Sequence, residues 1–119
     1  MKLLKSFIFA FALALSLGSF STTVTAAPIE GINLVLDHVA EAIKAIDAGE
    51  SNEVVREHIL ASLRESKEIT GTELLEKNRL KASRSLKKAR TALKKDDTQK
   101  AKELLGEAEK KFTDLKKFI

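Results

Sequence analysis

The chain has 119 residues and a formal net charge of +4, which leaves room for one small domain. It contains no cysteine, so disulfide bonds and a cysteine nucleophile are excluded. The size suffices for a small bundle but leaves no room for a large enclosed active site. The charge is uneven. Residues 27–69 hold four basic and nine acidic residues, a net charge of −5, whereas residues 70–119 hold 15 basic and eight acidic residues, a net charge of +7.

Residues 1–26 follow the pattern of a cleaved signal peptide. Two lysines precede an apolar run over residues 6–20, and small residues follow up to Ala27. The apolar run of about 15 residues is shorter than the roughly 20 that a membrane-spanning helix needs. No cysteine lies near the cut, which excludes a lipoprotein. We therefore predict cleavage before Ala27 and a periplasmic or secreted mature domain over residues 27–119, without a transmembrane segment.

The mature part shows the three- and four-residue spacing of apolar side chains that is typical of amphipathic helices, and no strand pattern. The predicted helices span residues 30–48, 52–69, 72–95 and 98–118. Apolar stripes run along each of them, and on the first helix the stripe is Ile32, Leu36, Val39, Ile43 and Ile46.

Turn signals separate these helices. Gly49 and Gly71 stop the first two, because glycine tolerates the left-handed conformation that ends a helix. Ser51 or Asn52, Thr72, and Asp97 or Thr98 are the predicted N-caps of the helices that follow.

The two halves of the mature chain resemble each other. Ala42-x-x-Ala45-Ile46 precedes the first turn, and Ala89-x-x-Ala92-Leu93 precedes the turn of the second half. Two helical hairpins joined by a short link predict an all-α, antiparallel up-down four-helix bundle, which we expect to be monomeric. The acidic hairpin would then lie against the basic one, and part of the charge asymmetry would be internal complementarity.

The only two histidines lie in the first hairpin. His38 and His58 each precede a residue of an apolar stripe, and Glu41 lies one turn beyond His38. In an antiparallel hairpin whose turn is centred near residues 49 and 50, Glu41 and His58 would lie at about the same height along the two helices. Imidazole and carboxylate ligands suit divalent copper, nickel or zinc. The alternative is a pair of boundary histidines that interact with nearby glutamates and bind no metal.

The mature chain resembles the small metal-binding protein family of exported, histidine-rich four-helix bundles. The resemblance is carried by His38-Val39-x-Glu41-Ala42-Ile43, by the Gly49-x-Ser51-Asn52 turn, and by Glu57-His58 followed by Ser62-Leu63. It implies a bundle that binds divalent metal through histidines, here His38 and His58. Alanine, lysine, glutamate or leucine occupies the family's other histidine positions, so the resemblance implies one weak site and not high-capacity storage.

The third predicted helix carries a basic face, which predicts binding to anionic surfaces such as lipopolysaccharide or anionic lipid. Its members are Lys81, Arg84, Lys87, Lys88, Lys94 and Lys95. Nucleic acid is disfavoured because the chain has no Tyr or Trp on which bases would stack. The alternative is a solvated face that partly pairs with the acidic second helix.

Catalysis has little support in the sequence. Ser62 and Ser66 follow His58, but a serine on a regular helix lacks the strained turn and oxyanion donors that acyl transfer needs. Phe112, Phe118 and Ile119 either form an apolar tip for a protein partner or close the end of the bundle. Two hypotheses remain: a weak metal buffer or scavenger, and a non-enzymatic interaction or stress protein for which metal is irrelevant.

Overall fold

A computed structural model describes residues 27–119 as four α-helices without a strand. They are α1 (Pro28–Asp47), α2 (Asn52–Ser66), α3 (Glu73–Lys94) and α4 (Thr98–Asp114), and a short 3₁₀ helix (Leu115–Phe118) follows α4. The predicted signal peptide lies outside the described residues. The all-α prediction with four helices is confirmed.

The four helices enclose one core. Each helix packs against the next one in the chain, and α4 also packs against α1, which closes the group. The body measures 48 × 31 × 18 Å. Among residues 27–119, no helix is both long and apolar enough to cross a membrane.

Side-chain caps and one proline fix where the helices begin. Pro28 occupies the first turn of α1, where its missing N–H leaves no hydrogen bond unmade, so α1 begins two residues before its predicted start. Ser51, Thr72 and Asp97 accept hydrogen bonds from backbone N–H groups in the first turns of α2, α3 and α4. These contacts select Ser51 and Asp97 from the two pairs of candidate caps.

The turns α1–α2 and α3–α4 close in the same way. In the first turn, the N–H of Gly49 donates to the carbonyl of Ile46 and the N–H of Glu50 to that of Ala45. In the second, the N–H of Asp96 donates to the carbonyl of Leu93 and the N–H of Asp97 to that of Ala92. This pair of helix-ending bonds requires a residue with positive φ, which is Gly49 at 74° in the first turn and Asp96 at 60° in the second. The two turns are therefore equivalent, although only the first uses glycine.

The core is built from one apolar face of each helix. Its largest fully buried members are Ile32, Val35, Val39, Val55, Ile59, Ile69, Leu75, Leu86, Leu105, Phe112 and Leu115. On α1 the buried face is centred on Val35, Val39 and Ala42, whereas Leu36, Ile43 and Ile46 are only partly buried. The alanines on this face let a neighbouring helix approach closely. Part of the predicted stripe, Leu36, Ile43 and Ile46, therefore lies at the edge of the buried face and not at its centre.

The end of α2 differs from the prediction. The helix ends at Ser66 and not at Ile69, yet Ile69 is fully buried. A β-carbon on Gly31 would come within 3.0 Å of the Ile69 side chain, so the glycine leaves the space that Ile69 fills at this end of the bundle.

Two glycines give a matched test of the turn assignment. Gly49→Ala forces a β-carbon into the left-handed region and should lower the free energy of unfolding by about 1 kcal/mol. Gly106→Ala lies within α4, where a β-carbon meets no atom within 4 Å, and should raise the free energy of unfolding by up to about 1 kcal/mol. Urea denaturation measures both, and equal signs would contradict the turn geometry.

Candidate functional site

The two histidines lie on neighbouring helices. His38 is on α1 and His58 is on α2, and both side chains are half-buried. The charge of His58 contributes to the lowering of the His38 pKa. The two residues that the sequence singled out thus lie on a pair of helices that pack against each other.

Burial lowers the pKa of His38 below its ordinary value of 6.5, because the charged imidazolium loses hydration. The carboxylates of Glu65 and Asp37 oppose this effect, while His58 and Arg64 reinforce it. A lowered pKa means that His38 is neutral at pH 7, with a ring nitrogen able to accept a hydrogen bond or a metal ion.

Glu65, and not Glu41, is the carboxylate with the larger effect on His38. Glu65 lies on α2, seven residues after His58, and therefore on the same face of that helix. Glu41 is exposed and is not among the charges that act on the His38 pKa. The sequence alone could have indicated Glu65, because a seven-residue spacing from His58 places the two side chains two turns apart on one helix face.

Within residues 27–119, no group of three or more His, Asp and Glu side chains is arranged to hold a metal ion. The metal site on His38, His58 and Glu41 stays a prediction.

The lowered pKa of His38 has a consequence for stability. Since the folded protein binds this proton less readily than the unfolded chain, the unfolded chain takes up more protons as the pH falls through 6.5. The free energy of unfolding should therefore fall between about pH 7.5 and pH 5.5. Urea denaturation of the protein and of His38→Gln at both ends of this range measures the effect. We expect a shallower dependence in the variant, and an equal or steeper one would contradict a lowered pKa.

The cationic face of α3 is the second candidate site. We define it by six exposed side chains of α3 and by the exposed side chain of Lys95, which directly follows the helix. The six are Lys77, Lys81, Arg84, Lys87, Lys88 and Lys94. Spacings of three, four and seven residues align Lys77, Lys81, Arg84, Lys88 and Lys95 in one stripe. The stripe is about 27 Å long at the rise of an α-helix. The sequence prediction contained six of these residues and missed Lys77.

No residue of the cationic face forms a salt bridge in the part of the chain that the structure describes. The ion pairs there are Lys102 with Asp47 at 2.7 Å, Lys111 with Glu107 at 4.0 Å, and Lys117 with Asp114 at 3.9 Å. Only the first joins the two hairpins. The expected charge complementarity between the hairpins is therefore limited to one exposed pair.

The contact between α2 and α3 contains a pair of buried serines. Ser66 and Ser83 are both buried there, and their hydroxyl oxygens lie 3.1 Å apart. The Ser66 hydroxyl also lies within hydrogen-bonding distance, 2.9 Å, of the Leu63 carbonyl. Two small, neutral side chains therefore meet in the buried part of this contact.

Arg79 interrupts the apolar face of α3 and lies at the edge of the core. Its side chain is half-buried, and its Nε has no hydrogen-bond partner among residues 27–119. The predicted apolar tip is divided: Phe112 is fully buried, Phe118 is half-buried, and only Ile119 is well exposed, at 57%. Phe112 thus belongs to the core.

Comparisons with protein-family models, with curated proteins and with solved structures found no match to this chain. The resemblance to the small metal-binding protein family therefore stays a prediction from the sequence.

Proposed function

We propose that the mature chain is a non-enzymatic, exported helical protein that binds anionic surfaces through the cationic face of α3. One observation carries the proposal: seven exposed cations lie along α3 and at its C-terminal end, and none of them has a carboxylate within 4.0 Å in residues 27–119. Clustered charge of one sign attracts an oppositely charged partner over a distance of several ångströms, and salt weakens that attraction.

The location that we propose for the protein follows from its N-terminal sequence. A signal peptide over residues 1–26 would deliver the protein to the periplasm or outside the cell, where anionic envelope surfaces are available. In the mature domain, we propose an up-down arrangement of two similar hairpins. The equivalent turns at Gly49 and Asp96 support it, since they lie 47 residues apart and use the same pair of hydrogen bonds.

A charge-reversal pair tests the binding face. Lys87→Glu with Lys88→Glu should weaken binding to heparin on the order of tenfold or more at low salt, because two attractive charges become repulsive. Elution from a heparin column in a salt gradient measures the change. Lys100→Glu with Lys110→Glu is the control, because it alters the net charge equally on exposed residues of α4. Equal losses in the two variants would show that net charge and not the α3 face determines binding.

A second candidate function is weak binding of a divalent transition metal, copper, nickel or zinc, at His38 and His58. The observation in its favour is that both histidines are half-buried on helices that pack against each other, and that burial lowers the pKa of His38. The donor types fit such a metal. Two imidazoles fall short of the three or four protein ligands of ordinary zinc sites, so any site completed by water would bind weakly.

Calorimetric titration with copper, nickel and zinc near neutral pH tests the metal candidate. We expect binding heat that disappears in His38→Ala with His58→Ala and below about pH 5.5, where imidazoles are protonated. Glu65→Gln should weaken binding more than Glu41→Gln, because Glu65 has the greater effect on His38. Heat that is unchanged in the double histidine variant would exclude this site.

A further inference from the structure

Two leucines are exposed beside the cationic face of α3. Leu74 is 54% exposed and Leu80 is 52% exposed, whereas Leu75, Leu86 and Leu93 on the same helix are buried. Single exposed leucines are common on protein surfaces, so exposure alone does not indicate a binding surface. The position of Leu80 among the cations does indicate one.

Leu80 lies among the cations. It follows Lys77 by three residues, precedes Arg84 by four, and precedes Lys87 by seven, so all three lie within two turns of it on the same side of α3. An apolar side chain surrounded by lysine and arginine is the composition of helix faces that bind anionic membrane surfaces, where the cations meet phosphates and the apolar residue enters the layer beneath them. The long stems of lysine let the charged ends stay at the phosphate level.

We infer that the anionic surface bound by this protein is that of a lipid bilayer, and that Leu80 inserts below its phosphates. This inference rests on the proposed function and names its partner. A soluble polyanion satisfies the cations but gives Leu80 no apolar surroundings, whereas a bilayer surface offers anionic phosphates and acyl chains at adjacent depths. The inference therefore accounts for Leu80 as well as for the charges.

An exposed leucine on another helix supplies a matched control. Leu34 on α1 is 43% exposed, which is close to the exposure of Leu80. Its exposed neighbours on the helix are acidic, with Glu30 four residues before it and Asp37 three residues after it. An anionic membrane repels this face, so Leu34 should remain in water when α3 is bound.

The chain contains no Trp and no Tyr, so one introduced tryptophan reports on one position. The emission of Leu80→Trp should shift to shorter wavelength with vesicles of phosphatidylglycerol, and brominated lipid should quench it. The emission of Leu34→Trp should not change. Vesicles of phosphatidylcholine and soluble heparin should leave both spectra unchanged. A Leu80→Trp spectrum that stays constant while the protein sediments with phosphatidylglycerol vesicles would overturn the inference.

Leu80→Ala separates this inference from the proposed function. Because it removes apolar surface and no charge, we expect a loss of vesicle binding on the order of fivefold to tenfold and no change in heparin elution. Lys87→Glu with Lys88→Glu should lower both. Binding to heparin with no binding to vesicles, or vesicle binding equal in Leu80→Ala and the parent, would refute insertion while the proposed function stands. Binding to neither probe would refute the proposed function itself.

Discussion

The bundle is held together by one apolar face on each helix, and this constraint decides where its charged residues lie. On α3 that face consists of Leu75, Leu86, Leu93 and the alanines between them, all buried. The flanks of α3 carry buried serines, with Ser83 toward α2 and Ser85 in contact with Lys111 of α4. A helix that gives one face to the core and its flanks to neighbours keeps only its outer face in water. The lysines and Arg84 therefore collect there.

This sorting separates the charges of the two hairpins. Ser66 of α2 and Ser83 of α3 meet in a buried contact, and the one ion pair between the hairpins, among residues 27–119, links Lys102 to Asp47 at the surface. Exposed pairs of this kind contribute at most about 1 kcal/mol, so the fold depends little on them. The positive side of the molecule is consequently free to interact outside it. The proposed binding to an anionic surface and the insertion of Leu80 both follow from that arrangement.

The sequence predicted the number of helices and the residues that cap them, because those signals are local. It predicted less well which flank of an apolar stripe faces inward. On α1, Val35 and Ala42 are buried more deeply than Leu36 and Ile43, since alanine lets the adjacent helix approach. The same limit applies to the histidine pair. Glu41 is close to His38 in sequence, but its side chain is exposed, and Glu65 of α2 has the larger effect on the His38 pKa. The direction in which a side chain leaves its helix, and not its distance along the chain, decides which carboxylate acts on His38.

The free energy of unfolding of Arg84→Glu, measured by urea denaturation at low salt, tests the central claim most directly. Arg84 follows Lys81 by three residues and precedes Lys88 by four, so like charges flank it on the helix. If the cationic face lacks carboxylate partners, the substitution replaces repulsion by attraction and raises the free energy of unfolding by about 0.5 kcal/mol or more. The same reversal at Lys102, which breaks its pair with Asp47, should lower it. A loss of stability in Arg84→Glu would show that α3 is paired within the molecule and would contradict the account.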